Sequence, residues 1–258
     1  MNRINQLFHD KPGGILSIYF TAGHPVLNST AGIIKNLAKA GADMVEIGIP
    51  FSDPMADGPV IQKSSDKALK NGMSLSILFQ QLRDIRKEVS IPILMMGYLN
   101  PVMQFGLDNF YRKCTETGID GVILPDLPLD LYLEEYRETM KKVDLHPVFL
   151  MSPQTDYDRI RLIDDASGGF IYMVSSSSTT GTRDGFSPEQ IGYFERINGM
   201  NLKSPRLIGF GISSRKTFSV ACNYAKGAII GSAFIKMLDS KGDGEENIKS
   251  FVKDIRIG

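Results

Sequence analysis

Ala40-Gly-Ala-Asp-Met-Val-Glu-Ile-Gly-Ile-Pro50 decides how the rest of the chain is read. A glycine at the end of a helical pattern stops the helix, and here an apolar run follows within three residues. Strand alternation places Met44, Glu46 and Gly48 on one face and Val45 and Ile47 on the other. Val45 and Ile47 suit a face covered by helices. Glu46 then points the opposite way, into the interior of a closed sheet. The same punctuation recurs: Thr117-Gly-Ile-Asp120 precedes another apolar run, and Ser90-Ile-Pro92 and Ser204-Pro205 introduce two more. Proline lacks an N–H and is tolerated at the start of a strand.

Working outward, the sequence predicts strands over Ile15–Thr21, Ala42–Gly48, Ile91–Gly97, Ile119–Leu124, Leu145–Met151, Phe170–Ser175, Arg206–Gly211 and Ala228–Ser232. Helical periodicity fills stretches between them: Thr30–Ala40, Leu75–Glu88, Asp108–Thr117, Leu131–Lys142 and Asp156–Ala166. Leu78, Leu82 and Ile85, spaced by four and three, show the pattern. Strand–helix alternation from end to end is the mark of a parallel sheet covered by helices. Eight such units in 258 residues favour a single-domain (β/α)8 TIM barrel spanning 1–258, since that fold takes roughly 250 residues. Residues 1–10 read as a short extra amphipathic helix rather than a signal peptide.

The chain carries 29 basic and 29 acidic residues, and this balance disfavours a nucleic-acid binder. No apolar run approaches the roughly 18 residues of a membrane span. Cys114 and Cys222 form no disulfide framework and no metal-ligand spacing, so a cytoplasmic location is expected. His9, His24 and His146 are widely separated and read as surface or loop histidines rather than zinc ligands. No lysine ends a predicted strand, so a Schiff-base nucleophile is missing, and no Walker or dinucleotide-binding sequence is present.

Two glycine turns point to a phosphate. The seventh predicted strand runs through Gly209-Phe-Gly211 before Ser213 and Ser214, and the eighth reaches Gly231-Ser232. Backbone N–H groups of such turns and of helix starts face anions, and barrels commonly use the loops after strands seven and eight for this. Ser175-Ser-Ser-Ser-Thr-Thr-Gly181 follows the sixth strand and reads as a lid, with Gly181 as a further backbone donor.

Glu46 is the leading catalytic candidate. A carboxyl inside a barrel is costly to ionise, so its proton affinity should be raised, as general acid–base chemistry requires. The bland alternative is a buried acid paired with a basic side chain. In the proline-rich loop Pro50–Pro59, Asp53 suits a turn, whereas Asp57 could converge on the pocket of Glu46.

Glu46-Ile-Gly-Ile-Pro-Phe-Ser-Asp-Pro-Met-Ala-Asp-Gly-Pro-Val-Ile-Gln62 closely resembles the signature of the tryptophan synthase α subunit family. Phe20-Thr-Ala-Gly-His-Pro25, Gly97-Tyr-Leu-Asn-Pro101, Leu124-Pro-Asp-Leu-Pro128 and Gly209-Phe-Gly-Ile-Ser-Ser214 follow in the family's order, so the resemblance covers nearly the whole chain. It implies retro-aldol cleavage of indole-3-glycerol phosphate to indole and glyceraldehyde 3-phosphate, the last step of tryptophan biosynthesis. It implies catalytic roles for Glu46, Asp57 and Tyr172, and loop closure through Thr180. It assigns phosphate binding to Gly181, Gly211, Gly231 and Ser232, and leaves Tyr19, Met96, Phe210 and Ile229 as candidates for the indole pocket. It further implies no cofactor in this chain, and a β-chain partner that carries pyridoxal phosphate in an α2β2 complex. The Asp53 loop and Asn100–Phe105 resemble β-contact regions. Ser176 departs from the pattern, standing where many relatives carry an arginine. Two other readings stay open at this point: an interaction protein that only activates a partner, and a phosphosugar isomerase on the same barrel.

Overall fold

The structure is a computed structural model and describes residues 1–175 and 185–257. Its parallel strands are Ile15–Thr21, Met44–Gly48, Ile93–Met96, Gly121–Ile123, a fifth in two pieces (His146–Pro147 and Phe149–Met151), Ile171–Val174, Arg206–Gly209 and Gly227–Ile230. The first piece of the fifth strand pairs with the fourth and the second pairs with the sixth. The first strand lies between the second and the eighth. One split strand thus joins both ends of the strand order and closes the expected eight-stranded barrel. Several strands are shorter than the apolar runs suggest, because the outer residues belong to helix ends. The Ala42 amide bonds to Leu37 O at 3.0 Å as part of a helix stop, with Gly41 at φ 93°. Ser232 opens the helix Ser232–Lys241 instead of ending a strand. The predicted helix over 75–88 is Leu75–Leu82 followed by a separate turn, Ile85–Lys87.

Two apolar layers hold the molecule together. Val45, Ile47, Phe20 and Ile93 belong to the layer between the strands and the surrounding helices. Ile15, Tyr19, Met44, Leu94, Phe170, Tyr172, Leu207 and Ile229 fill the barrel itself. Every residue of Ile15–Thr21 is buried, as a parallel strand covered on both faces requires. The helix Arg3–Asp10 plugs the N-terminal end of the barrel. Ile4 is fully buried in the inner layer, and Phe8 packs on Phe170 with ring centroids 5.8 Å apart. Asn2 caps this helix by accepting from the Ile4 amide, and its own amide donates to Asp120 O and Asp144 O. Among the described residues no helix is long and apolar enough to cross a membrane.

Candidate active site

The opposite, C-terminal end of the strands opens into a cavity of about 390 Å³. Tyr19, Met96, Phe210 and Ile229, the expected ring pocket, all line it together with Tyr172. Glycines make room for the two tyrosines. A Cβ on Gly48 would collide with the Tyr19 hydroxyl, and one on Gly209 with the Tyr172 hydroxyl. Phe210 meets Tyr172 edge-on at 6.1 Å. Its own backbone is left-handed, φ 66°, a conformation that costs a non-glycine residue on the order of 1 kcal/mol. Ser175 Oγ donates to Phe210 O at 2.7 Å and helps hold that turn.

Gly211, Gly231 and Ser232 lie on the same cavity wall. Gly211 takes φ 74°, which a side chain would strain. The ten-residue helix Ser232–Lys241 starts after Gly231 with no side-chain cap, so its first amides have no acceptor from a capping residue. Such a start carries a partial positive charge that suits a phosphate. The neighbouring helix Arg215–Tyr224 differs: Ser214 and Thr217 form a capping box on it. Lys236, one turn beyond Ser232, brings a cationic side chain to the cavity. Thr180 and Gly181 lie outside the described residues.

Glu46 points inward, as alternation predicts, and is fully buried. It pairs in register with Tyr19 and Leu94. Its Oε1 accepts from Ser17 Oγ at 2.7 Å, while Oε2 has no hydrogen-bond partner among the described residues. Burial pushes the carboxyl up to about 8, and the Ser17 hydrogen bond partly opposes this. Glu46 is not on the cavity wall; Asp57 is. The two acids therefore do not share one open surface, and Tyr19 and Tyr172 stand close to both. Burial raises the Asp57 carboxyl, and its hydrogen bond from Tyr98 OH, 3.1 Å to Oδ2, opposes that shift. Tyr98 also accepts from the Ala56 amide at 2.9 Å, so one phenol ties the Asp57 loop to the end of the third strand. Gln62 Nε2 donates to Asp57 O at 2.8 Å and closes the loop onto the helix Pro59–Lys70.

Sequence reasoning named Tyr98 only within a motif and gave it no role. Its signal was a tyrosine one residue past a glycine at a strand end. Lys236 and the apolar pair Val60 and Ile61 on the cavity wall were also passed over, because helical spacing does not reveal which first turn faces a pocket. His24 bears out the loop half of its surface-or-loop reading and not the surface half. It sits in the loop after the first strand yet is buried, with Nε2 3.3 Å from Asp239 Oδ1. His9 is exposed, as expected.

The sequence profile of the family described as "Tryptophan synthase alpha chain" matches residues 8–255. The tryptophan synthase alpha chain of Flavobacterium psychrophilum is 58% identical over 256 residues, covering 99% of this chain and all of the relative. That of Phocaeicola vulgatus is 58% identical over 247 residues, 95% of this chain and 96% of the relative. Among solved structures, tryptophan synthase subunit alpha from Legionella pneumophila superposes with a TM-score of 0.89 at 32% identity, covering 99% of this chain and 97% of the other. A chain of the tryptophan synthase complex from Pyrococcus furiosus gives 0.84 at 33% identity, covering 94% and 98%. With a family profile across nearly its whole length and relatives above half identity end to end, this chain belongs to the tryptophan synthase alpha chain family.

Proposed function

We propose that this chain cleaves indole-3-glycerol phosphate to indole and glyceraldehyde 3-phosphate in the last step of tryptophan biosynthesis. The observation that carries the reading is one cavity whose wall combines an aromatic and aliphatic surface, an uncapped helix start and Asp57. The first suits a planar ring, the second a phosphate, the third a polarised ring N–H.

Glu46 enters the reaction as the acid. A carboxyl held near 8 is mostly protonated at neutral pH, so it delivers a proton to indole C3. Asp57, ionised, accepts the indole N–H and stabilises the positive charge that C3 protonation places on the ring. The bond from C3 to the glycerol chain then breaks. Its electron pair returns to the ring, the neighbouring hydroxyl oxygen forms the aldehyde carbonyl, and that hydroxyl's proton passes to the Glu46 carboxylate. One proton leaves Glu46 and one returns. The side chain reaches the ring by rotating toward the cavity, since its carboxyl lies within the barrel. Tyr172 supports the ring, Gly211, Gly231 and Ser232 hold the phosphate, and Thr180 and Gly181 close over it.

In this reading the chain works in an α2β2 complex with a β chain that holds pyridoxal phosphate, and passes indole to it. Exposed methionines on both expected contact segments, Met55 at 95% and Met103 at 54%, support a partner surface there. Free Cys114 and Cys222 accord with a cytoplasmic setting.

The test is an assay of the purified chain on indole-3-glycerol phosphate, with and without a cognate β chain, measuring both products. Indole and glyceraldehyde 3-phosphate should appear in equal amounts. No indole even in the complex would leave only a partner-activating role. Turnover of other phosphosugars without this cleavage would favour an isomerase.

A further inference from the structure

We infer that Ser17 is a positioning residue for Glu46, holding the carboxyl inside the barrel through Oε1 and leaving Oε2 to carry the transferable proton. This rests on the proposal that Glu46 is the proton donor. Ser17 lies two residues before Tyr19 on the same inward face of the first strand. In register it sits opposite Met44 on one side and Ile229 on the other, so its neighbours in that layer are apolar. Both Ser17 and Glu46 are fully buried, and the contact between them is 2.7 Å. A lone hydroxyl in such a layer has one obvious use, which is the carboxyl it touches.

The groups around Glu46 make the serine's contribution separable. The first strand presents Tyr19, the sixth Tyr172, and the third only Leu94, with Asp57 beyond on the cavity wall. Both phenols are themselves raised by burial and stay neutral, and Glu46 makes no ion pair among the described residues. Ser17 is therefore the group that discriminates between the two protonation states. A protonated carboxyl offers one acceptor oxygen and one O–H. With Oε1 accepting from Ser17, the proton resides on Oε2, the oxygen without a partner. On ionisation the same hydrogen bond becomes charge-assisted and stronger. Ser17 thus eases loss of the proton and keeps Glu46 able to give it up and take it back near neutral pH.

The experiment compares kcat–pH profiles of the parent, Ser17→Ala, Ser17→Thr and Glu46→Gln, each assayed with the β chain. An isotope-edited infrared titration of the glutamate carboxyl in substrate-free protein runs beside it. The parent should lose activity above about pH 8 as Glu46 ionises. Ser17→Ala should move that alkaline limb up by about one pH unit, and the infrared titration by the same amount, with KM little changed. Ser17→Thr, which keeps the hydroxyl, should return both toward the parent. An unmoved limb and titration in Ser17→Ala, or a threonine variant that behaves like alanine, overturns the role of Ser17. Near-parental turnover by Glu46→Gln instead overturns the underlying assignment, whatever Ser17 does.

Discussion

At the N-terminal end of the barrel, Asp120 accepts from the Ile93 amide at 2.8 Å and from Arg3 at 2.9 Å, and is paired with Arg86. Asp43 is served in the same way by Lys11 at 2.7 Å, the Leu16 amide at 2.8 Å, and Arg256. At the C-terminal end, Glu46 has one serine hydroxyl and the Asp57 carboxylate has one phenol. These are acids of the same chemistry, buried or half-buried in one barrel, with opposite supplies of donors. Where donors and cations saturate a carboxylate, the residue ties separate segments together and serves the fold. Where burial exceeds the donors, proton affinity rises, as at Glu46 and Asp57, and the residue is suited to chemistry. The division matches the general pattern of these barrels, with stability at the bottom and chemistry at the top.

Exchanging charge for amide at each end breaks the comparison most directly. Asp120→Asn would leave the Arg86 guanidinium largely buried without its counter-charge and weaken the hold on Arg3. A loss of about 3 kcal/mol in unfolding free energy is expected, with turnover per folded molecule little changed. Denaturant melts and active-site-normalised assays check this. A parental melting curve would show that the lower network is ornamental.

Glu46→Gln is expected to do the reverse. Indole release should fall at least about a hundredfold. Stability should respond in a pH-dependent way whose sign follows from the raised proton affinity. The unfolded carboxyl titrates near 4.5 and the folded one near about 8. Between these values the folded chain binds a proton that the unfolded chain releases, so this group's stabilising contribution is full below about 4.5 and is lost as pH rises through 8. Glutamine never ionises. The variant should therefore melt above the parent at pH 8, and the gap should close toward pH 5. Thermal melts at the two pH values read it, and a variant less stable than the parent at pH 8 would contradict the burial argument.

These two ends were not equally legible beforehand. Alternation in Asp43–Pro50 was enough to turn Glu46 inward, and the glycine turns at Gly211 and Gly231 were enough to single out two residues that line the cavity, because both depend on local backbone rules. The glycines that seat Tyr19 and Tyr172 were visible only as glycines; that Gly48 stands two positions beyond Glu46, the register partner of Tyr19, and Gly209 two beyond Leu207, the partner of Tyr172, needs the register between strands. The donors of Asp120 come from three separate parts of the chain, so no spacing could announce them. Phe210 offered no warning of its left-handed backbone, since the strain is set by the turn and the Ser175 contact. The withdrawal of Glu46 from the cavity wall likewise depends on Ser17, a residue two strand positions before the one that lines it.

Tyr98→Phe sharpens the comparison at its smallest scale, by removing one donor from the poorly supplied end. Phenylalanine keeps the ring contact with Phe51, now 5.2 Å between centroids, and loses the hydroxyl that serves both Asp57 and the Ala56 amide. Burial holds the Tyr98 phenol up to about 12, so it is a donor throughout the working range. That donor favours the ionised carboxyl, and without it burial raises Asp57 further. The proposed mechanism needs Asp57 ionised and Glu46 protonated, so the expected kcat profile is a bell with Asp57 on its acidic limb and Glu46 on its alkaline limb. Tyr98→Phe should move the acidic limb to higher pH and leave the alkaline limb near 8, narrowing the bell from one side. The expected loss is about tenfold in kcat on the acidic side, smaller toward pH 8, with about 1 kcal/mol of stability and a near-parental KM. Rate profiles across the range distinguish this from a loop that has merely loosened, which would lower kcat evenly at every pH and leave both limbs in place. An even loss would mean that Tyr98 places the Asp57 carboxylate without tuning it.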